Sequence, residues 1–216
     1  MEVTRRSFLA GLGGTVGFGL AGRAAMAATA PAKATTVASA NIIQVRAKPK
    51  AIQGTLKFAG QTYDCMVGQY GIASPKYEGD GCTPAGLFHM REVRYRADRL
   101  TTPPQSGLPV FKSKPSDGWC DDPEDVAYNR IVTLPYQSDA EPMWRDDHLY
   151  DVLGVIGYND APVVAGAGSA IFLHVMRPPT DDHQYTAGCV SMKIEDVLAV
   201  LAKCTPSTMI DIRAVA

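Results

Sequence analysis

No stretch of this chain holds the roughly 20 uninterrupted apolar residues that a membrane-spanning helix needs. The nearest approach, Leu9 to Gly22, is short, rich in glycine and followed at once by Arg23. A basic excess is missing too. The 21 Lys and Arg stand against 22 Asp and Glu, a formal net charge of −1, so no basic stripe marks a nucleic-acid binder. No internal repeat is present, and helical periodicity is confined to one segment near the C-terminus. Cysteine is scarce and odd in number, five among 216 residues. What remains is the apolar and charged content of an ordinary globular protein, one domain or slightly more.

The first 27 residues read as a leader that is removed. Thr4-Arg5-Arg6-Ser7-Phe8-Leu9 resembles the twin-arginine export motif; a Gly/Ala/Leu-rich run follows, and Ala25-Met26-Ala27 offers small residues for cleavage. Without residues 1–27 the basic count falls from 21 to 18 and the acidic count from 22 to 21, a balance of −3. Export of this kind implies the periplasm. In that oxidising compartment Cys65, Cys82, Cys120 and Cys204 are able to pair, in any of three connectivities, which leaves Cys189 as the free thiol. Residues 28–40 are Ala/Thr/Pro/Lys-rich, cannot bury a core, and read as a flexible linker. The fold is expected over residues 41–216.

From Asn41 the pattern is strand-like. Ile42 to Val45, Gly54 to Phe58 and Thr62 to Val67 are short runs around glycine turns, an antiparallel meander. Leu87 to Tyr95 is a further strand, after a glycine-rich loop whose Lys76, Glu78 and Asp80 line a cleft mouth or are simply solvated. From Ala97 to Asp147 the chain is polar, irregular and interrupted by prolines, which reads as a binding loop or lid. Within it Trp119 and Trp144 either anchor the loop on the core or stack against substrate, and packing is the better reading of a single aromatic. Asp121, Asp122 and Asp125 do not have the spacing of a calcium loop, and no metal site is expected. Asp151 to Asn159 and Ala170 to Leu173 read as strands. Ile194, Val197, Leu198 and Leu201 mark an amphipathic helix, with Ser191 near its start and Lys203 in its last turn, and Thr208 to Ile212 is a closing strand.

Chemistry concentrates at Ile171-Phe172-Leu173-His174-Val175 and Tyr185-Thr186-Ala187-Gly188-Cys189-Val190-Ser191. The loop between them is able to fold back and bring His174 beside Cys189. An imidazole that takes the thiol proton makes a thiolate–imidazolium pair, a nucleophile for acyl transfer. Gly188 lets a carbonyl approach, and the N–H groups of Gly188 and Cys189 are candidate oxyanion donors. His183, in the loop, is the rival base, less rigidly placed than a strand histidine.

A histidine, a loop, then Thr-Ala-Gly-Cys-Val resembles the signature of YkuD-type L,D-transpeptidases, and Thr83-Pro84-Ala85-Gly86-Leu87-Phe88 is similar to that family's Thr-Pro-x-Gly-x-Phe segment. The resemblance covers about Asn41 to the C-terminus. It implies a mainly β, sandwich-like fold with one or two short helices and a long irregular loop. It also implies a cysteine-dependent acyl transfer on peptidoglycan tetrapeptide stems, with no cofactor. Cys189 is then the nucleophile, His174 the general base and acid, and the carbonyl of Val175 the group that orients the histidine. Two departures touch substrate detail: Val175 stands where the family often has Gly, and Ser191 where Arg or Asn is frequent. Thr186, Ser191, Tyr158 and Asn159 are candidate substrate contacts. Expected partners are the stem peptides and, as one acyl acceptor, a lysine of an anchored outer-membrane protein, with the chain a monomer. A hydrolase on the same scaffold (carboxypeptidase or endopeptidase) and a non-catalytic peptidoglycan-binding protein are the alternatives.

Overall fold

The computed structural model describes residues 41–215. The expected leader and linker, residues 1–40, lie outside the described residues.

Among the described residues, fourteen strands and one helix follow in order: β1 (Ile42–Ala47), β2 (Gln53–Phe58), β3 (Gln61–Met66), β4 (Ile72–Ala73), β5 (Thr83–Pro84), β6 (Gly86–Tyr95), β7 (Val110–Lys112), β8 (Asp117–Cys120), β9 (Ile131–Thr133), β10 (Ala140–Pro142), β11 (Val152–Ile156), β12 (Phe172–Val175), β13 (Val190–Met192), α1 (Ile194–Leu201) and β14 (Met209–Ala214). The fold is mainly β, as expected. Its large sheet has the order β11-β12-β13-β3-β2-β1-β14-β6-β7, and β11 also pairs with β6, so the hydrogen bonding closes on itself.

The closure follows from alternation. On β1, Ile43, Val45 and Ala47 are buried while their neighbours are half-exposed, the two-residue period of a strand with one face on a core. Leu56 and Phe58 of β2 and Ile210 and Ile212 of β14 join the same core. Each such side chain contributes about 1.5–3 kcal/mol on burial. Strands β1 to β3 form the expected meander, antiparallel throughout. The C-terminal β14 then inserts parallel to β1.

Helix α1 packs against β11, β12 and β13 and buries Val197, Val200 and Leu201. It approaches β11 so closely at Gly154 that a Cβ there would sit 2.8 Å from both Leu201 Cδ2 and Met90 Cε. The helix differs from expectation at both ends. Ser191 lies in β13, because Val190, Ser191 and Met192 are drawn between β12 and β3 as a buried strand. Lys203 lies beyond the last helical residue, Leu201, and the last turn holds no basic residue.

The long polar segment also contains order. β7 adds in parallel to β6, and β10, β8 and β9 form a separate antiparallel sheet. These strands have three or four residues and carry little alternation, so the sequence pattern does not announce them. What fixes the small sheet is a second apolar cluster in which Trp119, Met143, Leu149 and Tyr150 pack with Leu153, Val155, Phe172 and Cys189, whereas β7 rests on the main core through Val110. Trp144 also anchors, through the Arg96 guanidinium 3.5 Å above its ring. All five cysteines are unpaired, so the pairing weighed for Cys65, Cys82, Cys120 and Cys204 is not made.

Candidate active site

His174 and Cys189 come to one face of the sheet because of strand register. β12 and β13 are parallel, with Leu173 opposite Val190 and His174 opposite Ser191. One rung back, Phe172 falls beside Cys189, and the Phe172 N–H donates to the Cys189 Sγ at 3.3 Å. Side chains alternate across a strand. Leu173 and Val190 therefore enter the core, while His174, Ser191 and Cys189 share the other face and line a cleft of about 630 Å³.

The turn before the thiol is held from several directions. The Thr186 N–H donates to Val67 O (3.1 Å) and its carbonyl accepts from Gln69 N–H (2.9 Å), which pins the turn to the exit of β3. Thr186 Oγ1 donates to the Cys189 carbonyl at 2.7 Å. Thr83 Oγ1 donates to the same carbonyl at 3.1 Å and accepts from Gly68 N–H at 2.8 Å. The Thr-Pro-Ala-Gly segment, far away in sequence, is thus a brace for the backbone of Cys189. Gly188 has φ +155°, and a Cβ on it would lie 2.8 Å from Cys82 O, so only glycine fits.

His174 Nδ1 donates to the Val175 carbonyl at 2.7 Å. A carbonyl only accepts, so this bond places the neutral imidazole's proton on Nδ1 and leaves Nε2 as the basic nitrogen. The Tyr150 ring packs edge-on against the imidazole, centroids 5.4 Å apart.

The resting charge state differs from the expected thiolate–imidazolium pair. Burial pushes the Cys189 thiol up to about 12, with the Glu141 charge acting in the same direction and the Phe172 N–H, Lys76 and Arg145 opposing. Burial also pulls His174 down to about 4, partly offset by the Val175 carbonyl. Both groups are therefore neutral near pH 7. The S–H points at Ala170 O, 3.2 Å away. In this state the imidazole keeps Nε2 free to accept a proton.

The remaining expected residues separate into two groups. Thr186 and Ser191 line the cleft. Tyr158 and Asn159 do not. The Tyr158 hydroxyl donates to Ala167 O. The Asn159 amide donates to Val164 O and Gly168 O at 2.9 Å each and accepts from Val164 N–H at 2.8 Å. Their polar atoms are spent closing the loop before β12. The Gly188 N–H is likewise committed, donating to Thr186 Oγ1 at 3.1 Å. Of the two expected oxyanion donors, only the Cys189 N–H carries no such side-chain bond. His183 lies at the exposed rim.

Sequence reasoning missed one whole wall. Glu141 and Arg145, from the long polar segment, and Tyr150, just beyond its end, line the cleft with Asp121, and no spacing relates them to Cys189. Lys76 and Glu78 line it too. Lys76 is buried, bonded to Asp80 Oδ1 at 2.7 Å, and its Nζ lies 3.5 Å from where a Gly188 Cβ would be.

The family model for the L,D-transpeptidase catalytic domain, YkuD, matches residues 54–212. None of the curated proteins searched matches the chain. The matched span runs from β2 to β14 and contains both the Thr83 brace and the His174–Cys189 face; the chain belongs to the YkuD family of L,D-transpeptidase catalytic domains.

Proposed function

We propose that this protein is a periplasmic L,D-transpeptidase acting on peptidoglycan tetrapeptide stems, delivered by its twin-arginine-like leader. The reading rests on family membership and on one observation: a thiol and an imidazole share a strand face at a cleft, with the free imidazole nitrogen unprotonated. Cys189 Sγ attacks the carbonyl between the third residue and the terminal D-alanine, while His174 Nε2 takes the thiol proton. The developing oxyanion is met by the Cys189 N–H and by the field of Lys76. The C–N bond breaks, His174 returns the proton to the departing amine, and a thioester remains. An amine then attacks the thioester. A second stem's side-chain amine gives a 3→3 crosslink, a protein lysine gives an anchored lipoprotein, and a free D-amino acid gives exchange. If water attacks instead, the same site is a carboxypeptidase.

The test is mass spectrometry of tetrapeptide muropeptides after incubation with the protein, with Cys189→Ala alongside. Dimers with a 3→3 bond formed by the wild type and abolished by Cys189→Ala are expected. Tripeptides without dimers would make it a hydrolase. No change with either protein would leave a binding role.

A further inference from the structure

Resolving the thioester with an amine is a proton-counting problem. An acceptor amine is charged near neutral pH and must shed two protons to become an amide nitrogen. One returns to the Cys189 thiolate through His174. The second needs another acceptor inside the cleft, and three carboxylates line it. Glu78 is spent: its Oε2 accepts from the Tyr128 hydroxyl and from Ser169 Oγ at 2.7 Å, and its Oε1 faces Gly79 N–H at 3.3 Å. Asp121 has one oxygen, Oδ1, shut away from solvent with no partner. Glu141 is different. Its Oε1 accepts from the Tyr150 hydroxyl at 2.7 Å and faces Arg145 Nη1 at 3.4 Å, while Oε2 has no hydrogen-bond partner among the described residues, and the side chain, which lines the cleft, retains 27% exposure.

This carboxylate is a liability in the resting enzyme, because its charge opposes ionisation of Cys189. A cation bound against it cancels that penalty. Burial also raises the proton affinity of Glu141, against the Tyr150 hydrogen bond and the Arg145 charge and with Asp121 and Asp147 adding to it. A group so tuned suits proton uptake better than fixed charge pairing.

We propose that Glu141 is the acceptor-side residue of the transfer: its free oxygen binds the ammonium of the incoming amine and takes the proton that the amine must lose before it attacks. The inference rests on the transpeptidase reading above. R–NH₃⁺ gives one proton to the Glu141 carboxylate, and the freed lone pair attacks the thioester carbon. The second N–H proton passes to His174, the C–S bond breaks, and the imidazolium reprotonates the Cys189 thiolate. Glu141 then loses its proton to water.

The experiment compares wild type with Glu141→Gln and Glu141→Asp, using a tetrapeptide stem with a side-chain amine as both donor and acceptor. Intact mass follows the acyl-enzyme, and chromatography with mass detection follows dimers and tripeptides. For Glu141→Gln, acylation is not slowed, since the charge removed opposed ionisation of Cys189, which also shows that the variant is folded. Amide formation near pH 7 falls about 100-fold, within the usual worth of a general base, and tripeptide accumulates. The deficit narrows towards pH 9.5, where about a tenth of an ordinary amine is already uncharged. Glu141→Asp retains most of the amide product. An unchanged ratio of dimer to tripeptide, or acylation falling as much as amide formation, would overturn the assignment, the second placing Glu141 on the donor side. A wild-type acyl-enzyme resolved only by water would overturn it as well. A wild type that forms no acyl-enzyme would overturn the transpeptidase reading itself, and this inference with it.

Discussion

The cleft has two walls of different origin. One is the face of β12 and β13, where His174, Ser191 and Cys189 are placed by the register of the large sheet. The other comes from the segment around β8 to β10, which brings Glu141, Arg145 and Tyr150. The sheet wall is rigid for general reasons, since its residues sit on paired strands above a core that includes Leu173, Val190 and Met192. The second wall depends on a few aromatic contacts. Trp119 and Tyr150 both meet Phe172 edge-on, at 5.1 Å and 5.7 Å between centroids. Phe172 in turn supplies the N–H that holds the thiol. The thiol and the imidazole thus belong to the sheet, and the facing side of the cleft belongs to the inserted wall.

Breaking the contact between the walls has the largest expected effect on stability. Trp119→Ala removes a buried ring and the hydrogen bond from its Nε1 to Asn129 Oδ1 (2.9 Å), at a cost of about 3–5 kcal/mol. The same Asn129 Oδ1 accepts from Ala170 N–H, and the Ala170 carbonyl accepts the hydrogen bond of the Cys189 S–H, so the rate of Cys189 alkylation should change as well. Denaturant melts and alkylation kinetics measure both.

The next effect lies on the sheet wall. His174 is held neutral, with its value lowered from 6.5 to about 4 by burial. The unfolded chain takes that proton near pH 6.5 and the folded one only near pH 4, so stability is lost as pH falls through this window. The full effect is about 3 kcal/mol. Melts of wild type against His174→Gln across that range should show the difference, and parallel curves would contradict it. Smallest is Thr83→Val, which leaves the buried Gly68 N–H without its acceptor at about 1–3 kcal/mol. Because Thr83 braces the Cys189 carbonyl, acylation should slow more than global stability alone explains.

The same division sets what the sequence reveals. β1 to β3, β6, β11, β12, α1 and β14 are legible because each has a period or an apolar run long enough to count. β13 escapes, as a three-residue strand with a buried serine at its centre. On the sheet wall, His174 and Cys189 stand out because a strand end and a Gly-Cys turn carry local signals. Glu141 carries none, since only the fold of the inserted segment brings it to the thiol. Tyr158 and Asn159 mislead for the opposite reason. Polar residues after an apolar strand look like a site, yet Asn159 is consumed by the loop's own backbone.

The central claim is that Cys189, served by a neutral His174, forms a thioester with a tetrapeptide stem. Its most direct test is the intact mass of the protein after brief exposure to that stem. An adduct of the stem less its terminal D-alanine is expected, located on Cys189, absent in Cys189→Ala and slowed in His174→Ala. A wild-type protein that stays unmodified while the stem is consumed, or an adduct on another residue, would contradict it.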